Sequence, residues 1–142
     1  MRVVLDTSVL ISALRSPAGA SAEILRRVFL GEIALLMDYK LSCEYEAVAL
    51  RPEQLYATGR SRAEMLEFLG VLCDVAEPVT IGYFYRPLSQ DANDDMILEL
   101  AINGNAQAIL SYNIRHFKHP LRGFGIEVFV PSEFLGLLSR RS

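Results

Sequence analysis

Val3-Val4-Leu5-Asp6-Thr7-Ser8 is the stretch that decides how the rest of the chain is read. Three consecutive apolar side chains suit a short strand buried on both faces, the kind found inside a parallel sheet. The run ends abruptly at an acid. Open α/β sheets bind ligands outside the carboxyl ends of their strands, so Asp6 falls where ligand chemistry is expected. Taken alone, Asp6 has a second reading, as a cap on the helix that begins near Thr7.

Outward from this strand, apolar runs and helical periodicities alternate. A first helix is expected over 7–14, capped by Thr7 or Ser8 and broken by Ser16-Pro17-Ala18-Gly19. Ile24, Leu25, Val28 and Phe29 have helical spacing within 21–30, and Gly31 supplies a stop. A second strand is expected over 33–37. A helix over 39–50 follows, with Leu41, Tyr45, Val48 and Ala49 inward, then an interruption at Pro52 and a short helix. Met65, Leu66, Leu69 and Leu72 share one face of a helix over 61–73. Residues 75–81 read as a third strand, weakened by Pro78. A helix over 94–103 turns Ile97, Leu98 and Ala101 inward and ends at Gly104. Strands over 108–110 and 126–129 precede a last helix over 132–138, with Pro131 in its first turn. Alternating strands and helices imply βαβ units. The expected fold is α/β, a three-layer α/β/α sandwich on a mainly parallel sheet of four or five strands, with residues 1–142 forming one domain.

Bulk properties agree. The chain has 142 residues, 51% of them hydrophobic and 22% charged, with mean hydropathy +0.25. That is an ordinary globular composition, long enough for a real core. No apolar run approaches the ~20 residues of a membrane span, and the N-terminus lacks a signal-peptide pattern, so a cytoplasmic protein with no membrane contact is expected. Net charge of −3 argues against a broad electrostatic coat on nucleic acid but leaves room for a local basic patch. Cys43 and Cys73 are far apart and form no Cys-x-x-Cys pair, which points to buried free thiols rather than to zinc or a disulfide.

Four acids invite a functional reading: Asp6, Glu44 on the helix after the second strand, and Asp94 and Asp95 at the start of the helix over 94–103. Strand ends and the following helix N-termini gather on one edge of a parallel sheet, so these positions can converge. Each has a plainer reading alone: a cap for Asp6, a solvated helix residue for Glu44, helix-dipole acids for Asp94 and Asp95. Glu46 and Glu99 keep the solvated reading, and Asp91 that of a cap or turn residue. Clustered carboxylates need a cation or shared protons. Hard oxygen ligands suit Mg²⁺ or Mn²⁺, which keep waters and bridge to phosphates.

These motifs together resemble the PIN-domain family over residues 2–136. The resemblance rests on Val3 through Leu14, on Leu41-Ser42-Cys43-Glu44 before Arg51-Pro52, on Asp91-Ala92-Asn93-Asp94-Asp95 before Leu98-Glu99-Leu100-Ala101, and on Ala108-Ile109-Leu110-Ser111. Within the family the chain is most similar to toxins of prokaryotic toxin–antitoxin pairs. The resemblance implies an Mg²⁺- or Mn²⁺-dependent endoribonuclease that leaves 5′-phosphate and 3′-hydroxyl ends, is restrained by an antitoxin protein and forms a homodimer. By carry-over, Asp6, Glu44 and Asp94 form the catalytic and metal-binding core, with Asp95 sharing the metal. Two positions depart from the family pattern. Ser8 stands where Asn is usual and Asn113 where a fourth acid is usual, which implies one tightly held ion and a second that arrives with substrate. These departures also define the alternative, a catalytically weakened PIN-like module that binds RNA or a protein partner.

Phosphates need positive charge outside the acidic core. Arg115, His116, Lys118, His119 and Arg122 cluster beyond the fourth strand, and Arg115 and Lys118 are the candidates to grip an RNA backbone. Tyr112 or Phe117 could stack a base, or Phe117 could belong to the core. His116 is a candidate general base, a role that activation of water by a metal makes unnecessary. Tyr83-Phe84-Tyr85-Arg86-Pro87 reads as an aromatic stretch that packs on a neighbouring helix or contacts a partner.

Overall fold

The computed structural model describes residues 1–82, 91–118, 120–121 and 123–141. The aromatic stretch at 83–87, His119 and Arg122 lie outside the described residues. The element order is β1 (Arg2–Leu5), α1 (Thr7–Arg15), α2 (Ala20–Phe29), β2 (Ala34–Met37), α3 (Tyr39–Ala49), α4 (Pro52–Thr58), α5 (Arg62–Val75), β3 (Glu77–Pro78), α6 (Ala92–Asn103), β4 (Ala108–Leu110), α7 (Arg115–Lys118), β5 (Glu127–Phe129) and α8 (Pro131–Arg141).

The sheet runs β3-β2-β1-β4-β5 with every neighbouring pair parallel. Val3 pairs with Leu35 on one side and Ala108 on the other. Successive strand side chains point to opposite faces, yet Val3, Val4 and Leu5 are all wholly buried. Both faces are therefore covered by helices, and the architecture is the three-layer α/β/α sandwich expected from the sequence. The chain walks outward from β1 to β2 to β3, then returns to place β4 on the other flank of β1. The order reverses between β1 and β4, and crevices at such reversals hold ligands in open α/β folds.

Local sequence accounts for the elements around this crevice. Asp38 caps α3, its side chain accepting the Leu41 amide at 2.9 Å. Leu41, Tyr45 and Ala49 then form the buried stripe of that helix. The Tyr45 hydroxyl donates to the Leu5 carbonyl at 2.5 Å, which ties α3 to the last residue of β1. Burial, and next the nearby charge of Asp6, push the Tyr45 phenol well above its ordinary pKa, so it remains a donor. Ser61 and Glu64 form a reciprocal capping box at the start of α5. Gly104 ends α6 where a Cβ would lie 2.8 Å from Leu36 Cδ1 and 3.0 Å from the Leu100 carbonyl oxygen. A Cβ there would require the Leu36 side chain to shift.

Several sequence expectations are corrected. The third strand, expected over 75–81, is only Glu77–Pro78 at the sheet edge. Proline has no amide for the ladder, and Val79 makes the next bond, to the Met37 carbonyl. Leu66 is exposed, because it sits on the shoulder of the stripe made by Met65, Leu69 and Leu72. Cys43 and Cys73 are free thiols but exposed, not buried. Cys43 lies opposite the inward stripe of α3, and Cys73 lies one residue off that of α5. Glu99 is buried at 3% exposure, since α6 is enclosed on nearly every side from Ile97 to Ala101. The segment after β4 contains a one-turn helix, α7, rather than only loop, and it carries Phe117 fully into the core.

Candidate functional site

Asp6 occupies the N-cap position of α1 with extended backbone, φ −61° and ψ 146°, yet its side chain makes no capping hydrogen bond. Two hydroxyls hold the carboxylate elsewhere. Ser8 Oγ donates to Asp6 Oδ2 at 3.2 Å and Ser111 Oγ donates to the same oxygen at 2.7 Å. Ser111 follows β4 as Asp6 follows β1, and the Asp6 amide donates to the Leu110 carbonyl at 2.9 Å. The Asn113 amide donates back to Ser111 Oγ at 2.9 Å. Ser111 is wholly buried, so its hydroxyl proton is committed to Asp6. This network holds the carboxylate at the strand-order reversal and leaves Oδ1 without a hydrogen bond among the described residues.

Asp94 stands in the first turn of α6, its side chain 15% exposed. Burial, then the neighbouring charges of Asp91 and Asp6, raise its carboxyl pKa, and His116 opposes the rise in part. His116 Nδ1 lies 3.1 Å from Asp94 Oδ2. Asp6 and Asp94, 88 positions apart in the chain, therefore feel each other's charge. Asp95 is buried beside Asp94. Glu44 is half-buried on α3, next to the Tyr45 that binds the Leu5 carbonyl, and its carboxylate has no hydrogen bond or ion pair among the described residues. Among those residues, no three carboxylate, imidazole or thiol groups are close enough together to hold a metal ion by themselves.

The donor chemistry nevertheless fits a hard divalent ion. Asp6 offers a carboxylate held by two hydroxyls, with one oxygen that takes no hydrogen bond among the described residues. Asp94 is a second carboxylate whose pKa is raised by burial and neighbouring acids, so an added positive charge would favour its ionised form. Two carboxylates completed by water suit Mg²⁺ or Mn²⁺, which keep part of their hydration shell.

Around the acids, Ser8 reaches Asp6 through its side chain, whereas Asn113 enters the network through its backbone amide and its side chain is exposed. Arg115, His116 and Lys118 are exposed on α7, but Phe117 is buried and cannot stack a base. Tyr112 is 48% exposed. Glu99 lines a cavity of about 310 Å³ with Asp38, Lys40 and Met96. Sequence reasoning missed Ser111 as the donor that fixes Asp6 and His116 as the partner of Asp94. The signal for Ser111 was available: a hydroxyl residue directly after a buried strand that neighbours β1.

Comparison with known proteins follows the same lines. A family model described as the PIN domain matches residues 2–115. Among solved structures, the fold resembles a chain in the crystal structure of VapBC2 from Rickettsia felis bound to a DNA fragment from their promoter. The match has a TM-score of 0.64 and 16% sequence identity, and covers 91% of this chain and 98% of that one. No curated protein matches the chain.

Proposed function

The chain belongs to the PIN-domain family, a family of nucleases that generally use divalent metal ions, and from that premise we propose that it is an Mg²⁺- or Mn²⁺-dependent endoribonuclease, the toxin of a toxin–antitoxin pair. The observation that carries the reading is the diversion of Asp6. Its side chain forgoes helix capping and is held by Ser8 and Ser111 at the point where strand order reverses, within electrostatic range of Asp94. An acid in that N-cap position ordinarily caps the helix. The likeness in fold to a chain of the VapBC2 complex supports an antitoxin partner, and a homodimer in the cytoplasm belongs to the same proposal. No helix among the described residues is long and apolar enough to cross a membrane.

Asp6 and Asp94 would hold the ion, with Asp95 and Glu44 completing the acidic set. When bound, the ion supplies Lewis acidity, lowering the pKa of water and neutralising charge on a phosphodiester. The protein's part is orientation. Ser111 and Ser8 fix the Asp6 carboxylate, Tyr45 anchors the strand end that carries it, and His116 holds Asp94. Asn113 stands where a fourth acid would add charge, and its backbone amide supports Ser111. Arg115 and Lys118 supply positive charge for the RNA backbone.

Asp6→Asn, Glu44→Gln and Asp94→Asn should each abolish Mn²⁺-dependent cleavage of single-stranded RNA without unfolding the protein. Undiminished cleavage by all three would sink the assignment.

A further inference from the structure

We infer that Tyr112 is a stacking platform for one unpaired nucleobase beside the acidic crevice, a base-binding subsite that rests on the ribonuclease reading above. Its hydroxyl is 2.7 Å from Ser21 Oγ and 3.3 Å from Ser12 Oγ. Ser21 is 1% exposed and lies on α2, while Ser12 lies on α1. The phenol is thus moored at the junction of two helices, at the end of the ring that faces the protein. Close to half of the residue remains in solvent. The hydroxyl is thus held by two helices while the residue stays 48% exposed, one position from the Ser111 that holds Asp6.

Placement supplies the rest. Tyr112 sits between Ser111, which holds Asp6, and Asn113, whose amide closes the network. On α1 the same division repeats: Ser8 serves Asp6, and Ser12, one turn later, serves Tyr112. Four residues rise about 6 Å along a helix, and Tyr112 directly follows Ser111, so the moored residue and the Asp6 carboxylate share one edge of the sheet. A phosphodiester at Asp6 would bring an adjacent base to the ring. The mooring also fixes the ring before binding, which lowers the ordering cost of a stack. Any base has a π-face, so the subsite selects for an unpaired base rather than for sequence. A base already stacked inside a duplex is not available to it.

The test uses the full chain carrying Asp6→Asn, which prevents turnover, and a single-stranded RNA in which one abasic nucleotide is moved along the sequence. Equilibrium affinity should fall roughly tenfold or more at one abasic position. Tyr112→Leu should weaken binding of intact RNA by a similar factor and be indifferent to the abasic residue at that position. Tyr112→Phe keeps the ring and should bind intact RNA within about threefold of the parent, a stacking loss being larger. A flat abasic profile overturns the subsite, even if Tyr112→Leu fails to fold. So does a Tyr112→Leu loss of equal size on intact and abasic RNA, the mark of a purely structural role. Absence of RNA binding by the parent protein overturns both the subsite and the ribonuclease reading, whereas a flat profile with tight binding overturns the subsite alone.

Discussion

Asp6 and Asp38 occupy equivalent places. Each directly follows a buried parallel strand, β1 or β2, and each is the N-cap residue of the next helix with an extended backbone. Asp38 does what its position predicts and accepts a hydrogen bond from the amide of Leu41. Asp6 does not, because Ser8 and Ser111 claim its carboxylate. What differs is the neighbouring strand. β1 is flanked by β4, whose exit presents the buried Ser111 hydroxyl. β2 is flanked on its outer side by the two-residue β3, and among the described residues no such donor after β3 reaches Asp38. The contrast teaches that position after a strand is not enough. A carboxylate becomes available for chemistry when another group competes it away from its local amides.

The largest effect expected from breaking this contrast is on activity. Asp6→Asn should lower RNA cleavage by roughly a hundredfold or more, since loss of a ligand should exceed the 10–100-fold typical of groups that merely support one. Its melting temperature should stay close to that of the parent, because the side chain caps no helix. Ser111→Ala should come next. Asp6 would keep its charge but lose its shorter hydrogen bond, and Mn²⁺ affinity measured by calorimetry should fall about tenfold.

Asp94→Asn should separate function from stability. The folded-state pKa of Asp94 is raised above its unfolded value. Between those two values the folded protein binds more protons than the unfolded chain, so this group's contribution to stability falls as pH rises through the window. At neutral pH the charged carboxylate therefore weighs against the metal-free fold. Asp94→Asn should melt at a higher temperature than the parent in chelator at pH 7, and the advantage should shrink on acidification towards the ordinary carboxylate range. The same variant should gain less stability from added Mn²⁺ than the parent. The smallest effect falls on Asp38. Asp38→Ala should cost about 1 kcal/mol through loss of a cap, seen as a melting temperature a few degrees lower, with cleavage per folded molecule retained.

Much of this architecture was legible from sequence because buried parallel strands announce themselves. Val3-Val4-Leu5 and Ala108-Ile109-Leu110 have few alternatives, and Ile97, Leu98 and Ala101 set the face of α6. What sequence could not supply was environment. Glu99 reads as a solvated helix acid and is buried, because α6 is covered on sides that periodicity cannot see. Cys43 and Cys73 read as buried by residue type and are exposed by helix phase. Phe117 reads equally as a stacking residue or a core residue until α7 turns it inward. The acids of the candidate site were all visible as residue types. Their division of labour was not, because Ser111 and His116 reach Asp6 and Asp94 across 105 and 22 positions of sequence.

The most direct test of the contrast between Asp6 and Asp38 is Mn²⁺ binding by titration calorimetry on three folded proteins: the parent, Asp6→Asn and Asp38→Ala. Binding by the parent, its loss in Asp6→Asn and its retention in Asp38→Ala are expected. Equal binding by the parent and Asp6→Asn would contradict that contrast.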